Sequence, residues 1–228
     1  VTVLDALAKV GSRDAAVAAQ DFIDDILIQA PGIQQVDVTA CFNAAMNAWA
    51  KSGTPISGER AHALLLSMRD HQVNKTLLVQ PDLISYATCM DAYANSGNPE
   101  KAQDILRKLV YGGQMGMLVT LNRQIFNRAI KAWSTAAGSS ISEDAPERAE
   151  GILDWMEELI QAGVLDTQPD YNSYNHCMAA WFKSNARNAA SRMSKLLARM
   201  EDSYAAGNED ARPTSSNYRN IITKWSSQ

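Results

Sequence analysis

The chain has 228 residues, of which 46% are hydrophobic and 20% are charged, and its formal net charge is −4. This composition excludes a disordered polar chain, and no apolar run in it reaches the length of a membrane span. Three widely spaced cysteines, none of them in a CxxC pair, argue against a disulfide framework and against a zinc site. The acidic net charge, taken alone, also argues against nucleic-acid binding.

The predicted elements start with VTVLDALAKVGS, which is typical of a helix interior and indicates a fragment of a longer protein. Five later stretches share its pattern, and each contains an anchor residue directly after an aromatic residue. The anchors lie 40 to 48 residues apart and are Val1, Asn43, Ala87, Asn127, Asn175 and Arg219. Six residues after them stand Leu7, Trp49, Tyr93, Trp133, Trp181 and Trp225, and we expect the tryptophans in this register to be buried between helices.

Each stretch is predicted to form the first helix of a helical hairpin, because its apolar residues recur at spacings of three and four. Residues ten positions after the anchor predict left-handed caps that end this helix, namely Gly11, Gly53, Gly97 and Asn185. An amphipathic second helix follows, with an alanine at one fixed place that lets the two helices approach closely. These alanines are Ala16, Ala61, Ala102, Ala149 and Ala190. No stretch alternates with period two over a useful length, so no strand is predicted.

Stacked hairpins bury apolar faces that a single hairpin cannot bury. The sequence therefore predicts an all-α protein, an α-solenoid of about five and a half antiparallel helical hairpins. We expect one array over residues 1–228. The predicted repeats are 1–37, 38–82, 83–122, 123–170, 171–214 and the partial repeat 215–228.

Two of these repeats resemble the pentatricopeptide repeat. The segments that show the resemblance are SYATCMDAYANSGNPEKAQDILRKL, which follows Pro81-Asp82 closely, and PDYNSYNHCMAAWFKSN, which starts at Pro169. The resemblance lies in the aromatic-Asn/Ala start, the glycine that closes the first helix, the early alanine of the second helix and the Pro-Asp punctuation. Two departures are the long repeat spacing and the replacement of Pro-Asp by Leu121-Asn122 and Pro213-Thr214. The resemblance implies a right-handed superhelix.

The resemblance also implies sequence-specific binding of single-stranded RNA, with one base contacted by each repeat. In that family the anchor and the last residue before the next repeat contact the base. The corresponding pairs here are Asn43 with Asp82, Ala87 with Asn122, Asn127 with Asp170, and Asn175 with Thr214, while Arg219 lacks a partner and Val1 pairs with Val38 or Asp37. In that family an Asn/Asp pair prefers a pyrimidine, chiefly uridine, whereas Ala87 offers no side-chain hydrogen bond. The alternative interpretation of the asparagines is helix N-capping.

The charges are unevenly distributed between the two kinds of helix. The first helices and their leading turns carry eight basic and two acidic residues, which leaves −10 for the rest of the chain. First helices line one surface of a hairpin stack, so we expect a positive face there and a negative face opposite. Lys51, Lys131 and Lys183 are the expected contacts to the RNA backbone.

The sequence contains no nucleophile elbow, phosphate loop, HExxH motif or paired carboxylates. We therefore expect no catalysis, cofactor, metal, membrane contact or small-molecule substrate. Cys89 and Cys177 are interpreted as small buried hydrophobic residues. The expected partner is single-stranded RNA, with other proteins as further partners, and the resemblance implies a mitochondrial or chloroplast location. The alternative function is a protein-binding scaffold like that of tetratricopeptide arrays.

Overall fold

The structure is a computed structural model that describes residues 2–29, 37–112, 121–138 and 142–227. These ranges contain eleven α-helices, one short 3₁₀-helix at Glu209–Ala211 and no strand. The α-helices are α1 (Thr2–Val10), α2 (Arg13–Gln29), α3 (Val38–Ser52), α4 (Ser57–Asn74), α5 (Leu83–Asn95), α6 (Pro99–Gly112), α7 (Arg123–Ala136), α8 (Ala145–Gln161), α9 (Tyr171–Lys183), α10 (Ala189–Ala205) and α11 (Ser215–Ser226). Within the described ranges, none of them is both long and apolar enough to cross a lipid bilayer.

The chain forms two compact units, Val1–Val119 and Thr120–Gln228. In the N-terminal unit the first helices α1, α3 and α5 pack side by side, and the second helices α2, α4 and α6 pack against them. In the C-terminal unit α7, α9 and α11 form the corresponding row, with α8 and α10 against it. Each unit is thus a stack of antiparallel helical hairpins, which confirms the predicted all-α, solenoid-type fold. A single array over the whole chain stays a prediction.

Side-chain caps determine where the first helices begin. Asp82 is the N-cap of α5, and its Oδ1 accepts the backbone N–H of Ser85 at 2.8 Å. Asp170 caps α9 in the same way through Ser173, at 3.0 Å. Both serine hydroxyls accept the backbone N–H of the capping aspartate, so each pair forms a complete capping box. The aspartate of each Pro-Asp pair therefore marks the start of a first helix.

Left-handed glycines end the first helices of the N-terminal unit as predicted. The φ angles of Gly11, Gly53 and Gly97 are 66°, 57° and 78°. The same prediction was wrong for Asn185, because α9 ends two residues earlier and Ser184 continues in an extended conformation, with φ −71° and ψ 155°. The Ser184 hydroxyl donates to the carbonyl of Trp181 at 2.9 Å, and this bond completes the last turn without a left-handed residue.

The predicted helix–helix contacts form the core. All five register alanines of the second helices are fully buried: Ala16, Ala61, Ala102, Ala149 and Ala190. Trp49, Trp133 and Trp181 are at most 2% exposed, as expected from their shared register. The prediction was wrong for Trp225, which is 56% exposed on α11, because no second helix within the described residues packs over this side of α11.

The buried aromatic residues also have polar partners that the sequence did not reveal. Trp49 Nε1 donates to Gln20 Oε1 of the preceding second helix at 3.0 Å, and Trp181 Nε1 donates to Glu150 Oε2 at 2.8 Å. The guanidinium groups of Arg60 and Arg192, which belong to the next second helices, lie 5.8 Å and 5.5 Å from the ring centres of Trp49 and Trp181. Each ring therefore joins two second helices to one first helix through a hydrogen bond and a cation–π contact.

The cysteines are structural. Cys41, Cys89 and Cys177 are fully buried, in agreement with the interpretation of Cys89 and Cys177 as small apolar residues. Burial raises the pKa of the Cys89 thiol to about 12, so the thiolate is not populated near neutral pH.

Candidate nucleic-acid interface

The structure brings the first predicted pair together in the N-terminal unit. Asn43 lies in the second turn of α3, and its Nδ2 donates to Oδ1 of Asp82, the N-cap of α5, at 3.2 Å. The hydroxyl of Ser85 lies 2.7 Å from Asn43 Oδ1 and donates to it. The amide of Asn43 is therefore held at both ends by the start of the next first helix.

The C-terminal unit contains the same arrangement. Asn127 Nδ2 donates to Asp170 Oδ1 at 2.9 Å, and the Ser173 hydroxyl donates to Asn127 Oδ1 at 2.6 Å. Burial opposes ionisation of Asp170, but the hydrogen bonds donated by Ser173 and Asn127, with the nearby guanidinium of Arg123, outweigh it and lower its pKa. The carboxylate is therefore ionised at neutral pH and can only accept hydrogen bonds.

These contacts exclude the alternative that the anchor asparagines are helix N-caps. Asn43, Asn127 and Asn175 all lie inside their helices, four or more residues after the first residue of α3, α7 and α9. The capping role belongs to the second member of each pair, for example Asp82 and Asp170. The paired aspartates therefore start one helix and contact the anchor of the preceding first helix at the same time.

The third pair is organised differently. The hydroxyl of Thr214, the N-cap of α11, donates to Oδ1 of Asn217 at 2.8 Å, and Nδ2 of Asn217 donates to Asn175 Oδ1 at 3.3 Å. Asn217, which is 2% exposed, thus lies between the two residues that the sequence paired. Arg219 is exposed on α11.

The remaining two predicted pairs differ from these: one is divided between the two units, and the other includes a residue outside the described part of the chain. Ala87 belongs to the N-terminal unit, whereas its partner Asn122 belongs to the C-terminal unit and is the N-cap of α7. Val1 lies outside the described residues. Of its two possible partners, Asp37 is the N-cap of α3 and Val38 is the first residue of the helix. In the other pairs the second member is the N-cap of the next first helix, so Asp37 rather than Val38 is the equivalent residue here.

The basic residues of the first helices are concentrated in the C-terminal unit. Helices α7, α9 and α11 carry six basic residues and no acidic residue, namely Arg123, Arg128, Lys131, Lys183, Arg219 and Lys224. The first helices of the N-terminal unit carry two of each sign, with Lys9 and Lys51 against Asp5 and Asp91. The excess of positive charge predicted for the first helices therefore comes from the C-terminal unit.

The three lysines expected to contact a nucleic-acid backbone have different surroundings. Lys51 and Lys131 are exposed. Lys183 Nζ donates to the carbonyl of Ser134, near the C-terminus of α7, at 2.6 Å. Lys224 Nζ makes similar contacts to the carbonyl of Ser184 at 2.7 Å. These ammonium groups stabilise helix ends and still contribute positive charge to the surface.

The hydrogen bonds leave each paired asparagine with binding capacity. An amide has two N–H donors and two acceptor lone pairs. Asn43 and Asn127 each use one donor toward aspartate and one lone pair toward serine, so one donor and one acceptor remain for a ligand. The part of the chain that the structure describes contains no group of His, Cys, Asp or Glu residues suited to holding a metal ion.

Comparisons with known proteins identify helical-repeat relatives. No protein-family model matches the chain. A mitochondrial pentatricopeptide repeat-containing protein of Arabidopsis thaliana is 24% identical over 134 residues, which cover 50% of this chain and 31% of that protein. A small ribosomal subunit protein of Arabidopsis thaliana, also designated rPPR7, is 23% identical over 195 residues, which cover 71% of this chain and 47% of that protein. The chain thus spans less than half the length of these curated relatives, and the similarities support a pentatricopeptide-like repeat.

Proposed function

We propose that this chain is a pentatricopeptide-type repeat protein that binds single-stranded RNA through its first helices and catalyses no reaction. The observation that carries the proposal is the pair of matching hydrogen-bonded sites, Asn43 with Asp82 and Asn127 with Asp170. One such site occurs in each unit, at an equivalent position of its repeat, and a site that recurs with the repeat suits a polymer of bases better than a single small ligand. The similarity to pentatricopeptide repeat proteins supports the same conclusion.

Uridine fits the remaining hydrogen-bonding groups of the two paired asparagines. Uracil presents an N–H donor between two carbonyl acceptors, so it can receive the free amide N–H and donate to the free lone pair at the same time. The aspartate fixes the polarity of the amide, because a carboxylate cannot donate to Oδ1. The repeat of Ala87 contributes little selectivity, and Asn175, which lacks a carboxylate partner, selects its base differently.

The C-terminal unit supplies most of the RNA-backbone contacts in this proposal. Lys131, Lys183 and Arg219 are exposed cations on its first helices, whereas the first helices of the N-terminal unit carry as many acidic as basic residues. Phosphate contacts release counterions, so affinity should fall as salt rises. The basic residues on α7, α9 and α11 explain how a chain of net charge −4 can still bind RNA.

The relatives support a mitochondrial location and a role in RNA metabolism. One is named as mitochondrial and the other as a ribosomal subunit protein. We propose that this chain acts on an organellar transcript by occupying it, and thereby influences its processing, stability or translation. Proteins that assemble on the same RNA are expected as additional partners.

The test is fluorescence-anisotropy titration of labelled short RNAs that are U-rich, A-rich or double-stranded, repeated across a salt series. We expect U-rich single strands to bind most tightly and the affinity to fall with salt. Asp170→Ala should reduce the preference for U-rich over A-rich RNA by roughly tenfold, since a bidentate base contact contributes about 1–3 kcal/mol of discrimination. Thr135→Ala, an exposed change on α7, is the matched control and should leave the preference intact.

A folded, helical protein that binds none of these RNAs at low salt would contradict the proposal. It would favour the alternative of a protein-binding scaffold. RNA binding with no base preference, and with no response to Asp170→Ala, would show that the phosphate contacts act alone and that the asparagines do not contact bases.

A further inference from the structure

Two buried hydroxyl groups belong to the candidate site although the sequence analysis did not assign them a role. Ser85 and Ser173 are each the third residue of a first helix, and both are fully buried. Their hydroxyl oxygens lie 2.7 Å and 2.6 Å from the Oδ1 atoms of Asn43 and Asn127. These are the shortest contacts that either amide makes at its site.

The hydrogen-bonding pattern around Ser173 allows only one amide orientation. The Ser173 hydroxyl accepts the backbone N–H of Asp170 at 3.1 Å. Its single proton has two acceptors within reach, and Asn127 Oδ1 at 2.6 Å is nearer than Asp170 Oδ1 at 3.1 Å, so the shorter hydrogen bond goes to Asn127. A flipped amide would place Asn127 Oδ1 against the carboxylate, and two acceptors would then face each other. The Asp170 carboxylate therefore selects which end of the amide faces it, and the Ser173 hydroxyl satisfies the other end.

The third pair keeps a donor at the same place with a different residue. Asn217 is the third residue of α11 and donates to Asn175 Oδ1 at 3.3 Å. By contrast, the anchors Val1 and Ala87 have no side-chain oxygen to hold. The third residues of the helices that follow them, Ala40 in α3 and Ile125 in α7, have no side-chain donor.

We propose that Ser85, Ser173 and Asn217 are positioning residues that fix the base-contacting amides of Asn43, Asn127 and Asn175 and thereby set their base preference. This inference rests on the proposed RNA-binding function. The positioning residue does not touch the RNA, because Ser85 and Ser173 are fully buried. It holds Oδ1 so that the free donor and acceptor of the amide keep fixed directions toward the base. Each selective site is therefore a triad that spans two consecutive repeats.

The experiment compares Ser173→Ala with Ser173→Thr by fluorescence anisotropy on short U-rich and A-rich RNAs. We expect Ser173→Ala to reduce the ratio of the two affinities by at least threefold, with little change in the salt dependence. Ser173→Thr keeps the hydroxyl and should restore the ratio. Ser184→Ala is the matched control, because it removes another buried hydroxyl of the same region that bonds only the Trp181 carbonyl. It should lower thermal stability without changing the ratio.

The outcomes separate this inference from the proposed function. If the unaltered protein shows no base preference, the proposed function fails and this inference fails with it. If the unaltered protein prefers U-rich RNA and both Ser173→Ala and Ser85→Ala keep the same ratio, the serines are capping residues only and the inference is overturned. Ser85→Ala tests the same contact in the other unit and keeps the test decisive if Ser173→Ala does not fold.

Discussion

Two helical glycines provide a sharp test of the packing described above, because alanine should have opposite effects at the two positions. A Cβ atom added to Gly58 in α4 would lie 2.2 Å from the Cδ1 atom of Tyr93 and 2.9 Å from the hydroxyl of Ser96. Around Gly151 in α8, no atom other than those of its chain neighbours and of the nearby helix backbone lies within 4 Å of the added Cβ. Both residues lie within helices, so alanine improves helix propensity at each of them.

The expected magnitudes follow from these distances. Carbon atoms prefer separations of about 3.5–4.0 Å, so the Tyr93 ring would have to move by more than about 1 Å to accept the Cβ of Gly58→Ala. The ring is 1% exposed, and its hydroxyl is 2.8 Å from His62 Nδ1, so little space is available. Overpacking costs about 1–3 kcal/mol. We expect net destabilisation for Gly58→Ala, and stabilisation of about 0.5–1 kcal/mol for Gly151→Ala.

The assay is urea unfolding followed by far-UV circular dichroism, with Gly58→Ala measured in the normal chain and in a Tyr93→Leu background. The smaller side chain should relieve most of the penalty at Gly58, since the clash involves ring carbons. If Gly58→Ala stabilises the protein as Gly151→Ala does, or if its penalty is the same in both backgrounds, then α4 and α5 do not approach each other as described.

Three further predictions concern two tryptophans of the repeat register, a buried hydrogen bond and a partly buried histidine. Trp133→Ala should cost about 3–5 kcal/mol in urea unfolding, whereas Trp225→Ala should cost far less because that ring is 56% exposed; equal losses would mean that α11 is covered. Glu150→Leu should cost at least about 1–3 kcal/mol, because it leaves the buried N–H of Trp181 without an acceptor and also removes the carboxylate that pairs with Arg192 and Arg199. A double-mutant cycle with Trp181→Phe should isolate about 1 kcal/mol of coupling between Glu150 and Trp181, and strict additivity is the contrary result. Burial, followed by the nearby ammonium of Lys131, lowers the pKa of His176 below its ordinary value of 6.5. The unfolded state therefore binds the proton more readily, and the free energy of unfolding should decline as the pH falls below 6.5. His176→Gln should flatten the dependence of the urea midpoint on pH between about pH 7 and 5.5, and an unchanged slope would assign the decline to other groups.

The register of the sequence predicted the helical core because burial follows helical periodicity. Ala61, Ala102 and Ala149 share one place in the pattern, and the structure gives them one environment, fully buried between two helices. Whether a side chain at such a position is buried depends only on the direction in which it leaves the helix, and this direction repeats every 3.6 residues. The pairing of Asn127 with Asp170 was predicted from the family resemblance, and the structure brings these two side chains into contact.

Features that depend on side-chain reach or on a neighbouring element were not predictable in the same way. Trp225 would be buried only by a second helix packed on α11, and the spacing of the tryptophans in the sequence does not show whether such a contact exists. The ammonium of Lys183 extends to the carbonyl of Ser134, although its spacing alone suggested a free surface cation. The proposed role of Ser173 does have a signal in the sequence, because a serine stands two residues before the anchor in both ISYAT and NSYNH.

The capping aspartates have a consequence for how such arrays can be rearranged. Because Asp170 and Ser173 start α9 while they hold an asparagine of α7, the proposed base-binding site does not coincide with one hairpin but extends into the next. A crossover at the Pro-Asp boundary would separate an amide from the groups that orient it and create a hybrid specificity. A cut between the third residue of the helix and the next anchor, as between Ser85 and Ala87, would transfer the triad intact. Under the proposed function, exchange of repeats by recombination or by protein engineering therefore preserves base preference only when the cut falls between the third residue of the first helix and its anchor.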